Sequence, residues 1–545
     1  MTGTPPTVVI GIIDDGIAFA HERFRIANGS RVKYFWMQDG VYAGPGGNVD
    51  YGRELSPAAI QNLFNRYTRN DTLDEDGLYR AAGLIDFHRA GHKAVNWRAA
   101  HGTHVMDLAA GYDPAEQRAD RPIVCVQLPA RTTANTSGAD LVTYARDALL
   151  YICDRAVNIG QGQWLPVVIN FSYGLIGGPH DGTSDLELLM EWLVKERQQP
   201  PYRQKVRIVL PAGNSYLSRC HAEIGFPTPA ADVVELPWRV LPDDKTPSYV
   251  DIWMPRRPSG ATVQKRIEVS VVPPGGEESP PLGDTGQGMV QWRPFGPPLC
   301  TLQYNVFPWP TERGRFRITL RPTANFDRPL PIAPAGTWIV KIRNAGLPRG
   351  EKIHAWVQRD DSLYGYPRRG RQSFFDHPDY KRIDHAGRET DSDGAGGCPV
   401  KREGLLNAIA TGTSVVVVGG FRRKESTAAL YSGGGPAHSR QGPDALTVAE
   451  DSVVHGGVLA AGSRSGSVVA MGGTSVATPQ ITRWIADRLA ESRAGDRGDV
   501  EDRAKHEELN RPAAPRLPAR QRAGGGRIER PPVVKLRRYE GMKTD

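Results

Sequence analysis

Apolar runs alternate with helical patterns in the first part of the chain. Four short, β-branched runs fit buried strands, at residues 7–13, 123–128, 167–171 and 206–210. Residues 102–110 and 139–156 carry apolar positions at helical spacing, and Ser184 with Glu187 forms a capping box that starts a helix reaching about residue 197. Strands that alternate with helices predict an α/β fold, in which helices flank a parallel β-sheet.

The pattern changes over residues 223–399. Proline and glycine become frequent, helical spacing fades, and segments of alternating polar and apolar residues replace it, at 249–253, 266–272, 316–320, 337–342 and 353–358. Turn residues separate these segments, which is typical of an all-β unit. We therefore expect a β-rich insert domain at residues 223–399, with the architecture of a sandwich.

The α/β pattern returns over residues 400–490, with a strand at 414–418 and a helix at 476–489. Residues 1–222 and 400–490 are therefore expected to form the two parts of one domain that the insert interrupts. The rest of the chain is rich in Arg, Ala, Pro and Gly with mixed charge, and it offers few apolar positions for a core. We predict a disordered basic tail at residues 491–545.

Composition narrows the class of protein. The chain has 545 residues, of which 39% are hydrophobic and 23% charged, as in soluble globular proteins. No run approaches the roughly 20 apolar residues that span a bilayer, and no signal peptide precedes the first strand, so no membrane partner is expected. The five cysteines form no CxxC pair. Reduced thiols fit this cysteine pattern better than a disulfide framework does. Together with the missing leader, they predict a cytoplasmic location.

Three local patterns carry residues suited to cleaving an amide bond. Asp14 ends the first predicted strand in Ile-Ile-Asp-Asp-Gly, His101 begins a predicted helix in His-Gly-Thr-His-Val, and Ser475 begins another in Gly-Thr-Ser-Val-Ala-Thr-Pro. A serine hydroxyl is a poor nucleophile at neutral pH unless a base takes its proton, and imidazole has a suitable pKa for such a base. A carboxylate such as Asp14 fixes the imidazole tautomer and stabilises the imidazolium.

The same reaction needs donors for the oxyanion of the tetrahedral intermediate. Ser475 at a helix N-terminus offers backbone N–H groups. Asn214 follows a predicted strand in Pro-Ala-Gly-Asn and offers a side-chain amide as a second donor.

The order Asp, His, Ser with these flanking residues resembles the subtilase family of serine proteases. The His101 and Ser475 patterns are near-complete matches to the family's HGTH and GTSxATP motifs, and Asn214 matches its oxyanion residue. The segment Ile-Asn-Phe-Ser-Tyr-Gly at 169–174 is similar to the family segment that pairs with substrate as an added strand. The resemblance covers about residues 7–222 and 400–490.

The resemblance implies a subtilisin-like serine endopeptidase that cuts polypeptides through an acyl-enzyme intermediate and requires no cofactor. Several relatives bind structural calcium, but the sequence does not locate such a site. The expected substrate-binding positions are Ser172, Tyr173, Gly174, Gly213 and Asp15.

Asp15 departs from the usual family pattern, in which Thr or Ser follows the catalytic acid. The kexin and furin branch also has Asp-Asp-Gly, with the first acid catalytic, so the catalytic role is assigned to Asp14. In that branch the second acid lies near a basic substrate side chain. Asp15 either takes this role or is an exposed acid in a turn, and the second interpretation is favoured.

Other interpretations remain open at this point. A catalytically idle scaffold or binding protein with the subtilase fold is the main alternative, since no propeptide precedes the first strand; in an active enzyme, the insert or a regulatory partner is expected to restrain activity. A nucleic-acid adaptor acting through the basic tail is disfavoured, because the net charge of +8 comes with no recognition motif. His104 either joins His101, His88 or His92 at a metal or packs inside its helix, and packing is favoured.

Overall fold

The computed structural model describes the chain except for residues 1–5, 28, 42–47, 87, 89–93, 227–231, 258–263, 294–295, 309–311, 327–329, 364, 391–392, 394–396, 438–439, 512–516 and 535–545. Nine strands form the main sheet. Eight of them lie in the order Thr427–Ala428, Val416–Arg422, Val206–Pro211, Val167–Phe171, Val9–Asp14, Ile123–Gln127, Val32–Met37 and Arg53–Leu55. The ninth, Ala445–Glu450, pairs with Val416–Arg422.

The main sheet is parallel apart from the two end strands of that order, which pair antiparallel with their neighbours. Its central strand shows why the apolar run is continuous. Ile10 and Ile12 pack into one core, while Val9 and Ile13 pack into another on the opposite face. Both faces of a strand between two helical layers must be apolar.

Helices supply these two layers, and the α/β fold class predicted from the sequence is confirmed at this level. The histidine helix, His101–Ala110, and the serine helix, Thr474–Ala490, contribute to one core, and Leu141–Ile159 and Asp185–Lys195 contribute to the other. The remaining α-helices are Pro57–Tyr67, Glu75–Ala82, Ala130–Ala134, Arg497–Leu509 and Arg520–Ala523. The predicted capping box of Ser184 and Glu187 is present at the start of Asp185–Lys195.

Two antiparallel sheets occupy much of residues 221–375. The first has the order His221–Ile224, Ile353–Val357, Ser248–Trp253, Arg313–Leu320, Cys300–Phe307 and Gly288–Trp292. The second has the order Leu282–Gly283, Ile267–Val272, Gly336–Asn344, Val233–Val240 and Phe374–Phe375. Both sheets contribute to a single hydrophobic core, and along Arg313–Leu320 every second residue is buried. This alternation is expected of a sheet with one face on a core.

Short ladders complete the secondary structure: Arg25–Ile26 with Gly29–Ser30, Thr68–Arg69 with Thr72–Leu73, and Val458–Ala461 with Val468–Met471. All five cysteines are buried and unbridged. Within the described ranges, no helix combines the length and the apolar character that a membrane span needs.

The prediction of a disordered tail is wrong for most of residues 491–534. Helix Arg497–Leu509 buries Val500 and Ala504 in the same core as the central strand, and Ile528 joins them there. Arg527 is fully buried, and its Nε donates to Glu508 Oε2 at 2.9 Å. Average composition concealed this packing, because a few well-spaced apolar residues and paired arginines suffice to dock a short segment on a larger core. Residues 512–516 and 535–545 lie outside the described residues.

Candidate active site

Asp14, His101 and Ser475 meet at the carboxyl ends of the parallel strands. Asp14 is the last residue of strand Val9–Asp14, His101 is the first residue of the histidine helix, and Ser475 is the second residue of the serine helix. Parallel strands present their carboxyl ends, and the helices that follow them, at one edge of the sheet. The fold therefore brings together side chains that are 87 and 374 positions apart in the sequence.

The three side chains form a hydrogen-bonded chain. Nδ1 of His101 lies 2.7 Å from Oδ1 of Asp14, and Nε2 lies 2.9 Å from Oγ of Ser475. In the neutral imidazole, Nδ1 carries the proton because an ionised carboxylate can only accept, and Nε2 is left to accept from the serine hydroxyl. Oδ1 of Asp14 also accepts from the Asp15 backbone N–H at 2.8 Å, which fixes the carboxylate.

Backbone contacts hold the histidine helix against the turn after Asp14. The N–H of Gly102 donates to the Asp15 carbonyl (2.8 Å), and the N–H of Thr103 donates to the Gly16 carbonyl (3.1 Å). A Cβ at Gly102 would lie 2.1 Å from that Asp15 oxygen, so only glycine permits the approach. The Thr103 hydroxyl adds a bond to the Gly16 carbonyl at 2.7 Å. The Gly-Thr that follows His101 thus sets the position of the imidazole.

Asn214 has a fixed side-chain orientation beside Ser475. Its Oδ1 accepts from the backbone N–H and the hydroxyl of Thr474, both at 2.9 Å. A backbone N–H can only donate, so the atom it meets must be the amide oxygen, and Nδ2 is the outward donor. Gly473 has φ +127°, and a Cβ there would lie 3.2 Å from Nδ2. Glycine at this position keeps the space between the amide and the serine hydroxyl open.

A proline inside the serine helix accounts for the role of Ser172. Pro479 lacks an N–H, so the carbonyl of Ser475 loses its usual helical donor four residues on. The hydroxyl of Ser172 donates to this carbonyl at 3.1 Å and accepts from Asn170 Nδ2 at 2.9 Å. The Ser172 side chain therefore holds the backbone of Ser475. These contacts involve the side chain of Ser172, whereas the predicted pairing with substrate involves its backbone.

The two histidines of the helix differ in environment. Burial lowers the pKa of His101, but the Asp14 and Asp15 carboxylates outweigh it and raise that pKa to about 9. His104 is fully buried, and its Nε2 lies 2.8 Å from the Val458 carbonyl. Burial lowers the pKa of His104 to about 4. His104 thus packs inside the helix as a neutral group, as the favoured interpretation predicted; residue 92 lies outside the described residues.

Asp15 is not the exposed turn acid that the sequence favoured. It is only 7% exposed, because the Tyr366 side chain covers it and donates a hydrogen bond from its hydroxyl to Oδ2. Burial and the neighbouring Asp14 raise the pKa of Asp15 to about 6. The sequence carried no local signal for this contact, since Tyr366 lies 351 positions away.

A cavity of about 1050 Å³ opens in front of these groups. It is lined by Asp14, His101, Ser475 and Asn214 and by the predicted substrate-binding residues, namely Ser172, Tyr173, Gly174, Gly213 and Asp15. Another part of its lining comes from residues 358–363 and 365–372, termed the cleft loop, which follow strand Ile353–Val357. Arg359, Asp361 and Tyr366 of this loop line the cavity. Sequence reasoning missed all three, because no motif marks them.

One group of potential metal ligands lies at the same place. Ligand atoms of Asp14, Asp15 and His101 fall within 4.8 Å of one another, and no second group of three or more such residues occurs in the described part of the chain. Hydrogen bonds already engage Asp14 Oδ1, both imidazole nitrogens of His101 and Asp15 Oδ2. The structural calcium that several relatives bind stays unassigned.

No family model and no curated protein matches the sequence. Among solved structures, the CspB protease of Clostridium perfringens is similar, with a TM-score of 0.64 and 18% identity over 96% of this chain and 93% of that chain. The PatG macrocyclase domain matches at a TM-score of 0.33 and 12% identity, over 96% of this chain and 89% of that one. The first likeness shows that this chain shares the fold of a subtilisin-like protease.

Proposed function

We propose that this protein is a serine endopeptidase that hydrolyses peptide bonds, with Ser475 as nucleophile, His101 as general base and Asp14 as the group that orients it. One observation carries the proposal: the hydrogen-bonded chain from Asp14 Oδ1 through the imidazole to Ser475 Oγ, with distances of 2.7 and 2.9 Å. Such a chain supplies nucleophile, base and orienting acid in the geometry that acyl transfer needs.

The reaction follows from the positions of the protons. Ser475 Oγ attacks the substrate carbonyl carbon while its proton passes to Nε2 of His101. The carbonyl oxygen becomes an oxyanion, which Asn214 Nδ2 and the Ser475 N–H stabilise; the latter is among the first N–H groups of its helix, which have no acceptor within that helix. His101 then protonates the leaving amine and the C–N bond breaks. Water attacks the acyl-enzyme by the same route in reverse, and the acid product leaves.

The two antiparallel sheets are part of the proposal. We infer that they form an inserted sandwich domain whose contribution to the site is the cleft loop. Support comes from their common core, which holds Trp238 and Trp338, both fully buried. The loop begins directly after strand Ile353–Val357 of this unit, so the insert supplies one wall of the cavity.

Ser475→Ala tests the function. We expect the variant to lose peptide hydrolysis and labelling by a fluorophosphonate probe, while wild-type protein is labelled and cuts a denatured protein substrate internally, as read by mass spectrometry. Unchanged circular dichroism would show that the variant is folded. Equal turnover by the two proteins, or no labelling and no cleavage by folded wild-type protein, would overturn the proposal, and the second result would favour the idle scaffold.

A further inference from the structure

The cleft loop is closed at its base and tied to the α/β part of the molecule. Nε2 of Gln372 donates to the Gln358 carbonyl at 3.1 Å, and Oε1 of Gln372 accepts from the Asp360 N–H at 2.9 Å. Oε1 of Gln358 accepts from the N–H of Gly177 at 2.8 Å. The start and the end of the loop are thereby joined, and this base is attached to the chain just beyond the predicted substrate segment.

Arg359 is the residue of this loop that reaches the substrate segment. Its Nη1 donates to the Gly174 carbonyl at 3.2 Å. Two further bonds tie its guanidinium to the Asp361 carboxylate, Nε to Oδ1 at 2.6 Å and Nη2 to Oδ2 at 3.0 Å. The Thr136 hydroxyl donates to the Asp361 carbonyl at 3.0 Å. A bidentate arginine–carboxylate pair has a defined geometry, so Arg359 is held in place.

The direction of the backbone groups in the substrate segment follows from their partners. Asn407 Nδ2 donates to the Tyr173 carbonyl at 2.9 Å, and Asn407 Oδ1 accepts from the Leu175 N–H at 3.0 Å. The Tyr173 carbonyl and the Leu175 N–H therefore both face Asn407. In extended backbone the carbonyls of alternate residues point the same way. The Gly174 carbonyl has the opposite direction, toward Arg359, which lines the cavity. The same alternation assigns the Ser172 carbonyl to the cavity side.

Of the two outward carbonyls, that of Ser172 belongs to the residue that contacts Ser475. Ser172 contacts the Ser475 backbone through its hydroxyl at 3.1 Å. Gly174 is two residues further on, and its carbonyl is the one that Arg359 occupies. A substrate strand that pairs with this edge would use Ser172 first and Gly174 for the residue two positions further from the scissile bond.

We propose that Arg359 is a specificity-determining residue. It limits pairing of the substrate strand to Ser172, because its guanidinium occupies the Gly174 carbonyl that the next pairing residue of the substrate would use. This inference rests on the proposed function. Its consequence is that lengthening a peptide past the residue opposite Ser172 gains little affinity. Removal of the guanidinium frees the carbonyl and the space in front of it, so an additional backbone hydrogen bond forms and affinity rises by about tenfold.

Peptide binding in the Ser475→Ala background tests this without relying on catalysis. Two nested series of fluorescein-labelled peptides, lengthened from two to five residues at the amino or the carboxyl end, are titrated by fluorescence anisotropy. With Arg359 present, we expect the Kd to change less than about twofold on lengthening past two residues. With Ser475→Ala/Arg359→Ala, we expect one series to tighten by about tenfold as its members reach Gly174.

Arg317→Ala is the matched control, because Arg317 makes a similar bidentate pair with Asp251 at 2.7 Å for both bonds and lies within the antiparallel sheets. It should leave the length dependence unchanged. If Arg359→Ala fails to fold, Arg359→Gln in the same background replaces it. Equal length dependence with and without Arg359, including no binding by either, overturns the inference.

Fluorophosphonate labelling of proteins with an intact Ser475 separates the two claims, since this small reagent needs no strand pairing. Labelling of wild-type and Arg359→Ala protein, together with an unchanged length dependence, would reject the role of Arg359 alone. A gain in affinity on removal of Arg359, without labelling of wild-type protein, would support the strand limit and reject the proposed function.

Discussion

The two walls of the cavity are built by different means. The motif wall carries Asp14 at a strand end, His101 and Ser475 at helix starts, and Asn214 in the turn after strand Val206–Pro211. The loop wall is the cleft loop, which follows strand Ile353–Val357 of the antiparallel sheets. On the motif wall, backbone groups set the geometry, as where Gly102 donates to the Asp15 carbonyl at 2.8 Å. On the loop wall, side chains make the contacts, as where Arg359 donates to the Gly174 carbonyl at 3.2 Å.

This contrast indicates a division of labour. Backbone contacts within a few residues of a reactive group hold it to the tolerance that proton transfer needs. Side chains on a loop are suited to selecting what enters, because they can differ without moving the reacting atoms. We therefore expect substitutions on the motif wall to change turnover and those on the loop wall to change binding.

The largest effect is expected from His101→Ala. Without the imidazole, Ser475 has no base, and turnover should fall by about a millionfold, the magnitude measured for subtilisin. His455→Ala is the control, since His455 is exposed and contributes only backbone hydrogen bonds to its turn. Steady-state kinetics on a peptide amide, with circular dichroism to verify folding, measures the outcome. A fall of less than about a hundredfold would mean that another group serves as the base.

Asn214→Ala should lower kcat by about 100-fold with a smaller change in KM, because its amide acts on charge that develops only in the transition state. The Thr474 contacts orient the amide, so the loss is of one aimed donor. Asn158→Ala, at an exposed position of helix Leu141–Ile159, is the matched control and should leave kcat unchanged. A change confined to KM would assign Asn214 to substrate binding and would contradict the expectation that motif-wall substitutions change turnover.

The difference between the walls also explains what the sequence could predict. The convergence of Asp14, His101 and Ser475 was predictable because each of them sits in a short pattern whose neighbours have a local role. Gly102 permits a close approach, and Gly473 keeps space open before Ser475. The parallel sheet then brings these patterns to one edge. Strand pattern alone was sufficient for that step, as the continuous apolar run before Asp14 required helices on both faces.

The loop wall and the C-terminal segment were not predictable in this way. Arg359 and Tyr366 lie in a stretch without helical or strand periodicity, and their partners are 185 and 351 positions away. Asp15 was misjudged for the same reason, since nothing near it in sequence reveals the tyrosine that covers it. The prediction for helix Arg497–Leu509 failed for a related reason. The average composition of the segment predicted disorder, although two apolar residues, Val500 and Ala504, are placed so that the helix can bury them.

A smaller effect should arise where Ser172 compensates for Pro479. Ser172→Ala leaves the partly buried Ser475 carbonyl without this donor, and the free energy of unfolding should fall by about 1 kcal/mol or slightly more. In a Pro479→Ala background the restored N–H of residue 479 can serve that carbonyl, so the same substitution should cost about 1 kcal/mol less. Urea unfolding of the four proteins measures the coupling. Equal costs in both backgrounds would show that Ser172 does not replace the missing helical donor.

The smallest effect concerns pH and compares the walls directly. His101 must be neutral to accept a proton, and its pKa is raised to about 9, so kcat/KM should rise with pH towards that value. The Asp14 and Asp15 carboxylates raise this pKa, and Arg359, which is paired with Asp361, lowers it. Asp15→Asn removes one negative charge and should move the ascending limb to lower pH by about 1.

Tyr366→Phe should move that limb far less. Its hydroxyl stabilises the ionised form of Asp15, whose pKa is about 6, so near pH 9 the carboxylate stays charged with or without the tyrosine. The pH profiles of kcat/KM for the wild type and the two variants decide the matter. An equal displacement in both variants would mean that the loop wall controls the base through Asp15. In that case the cleft loop would influence the protonation of His101 as well as the binding of substrate.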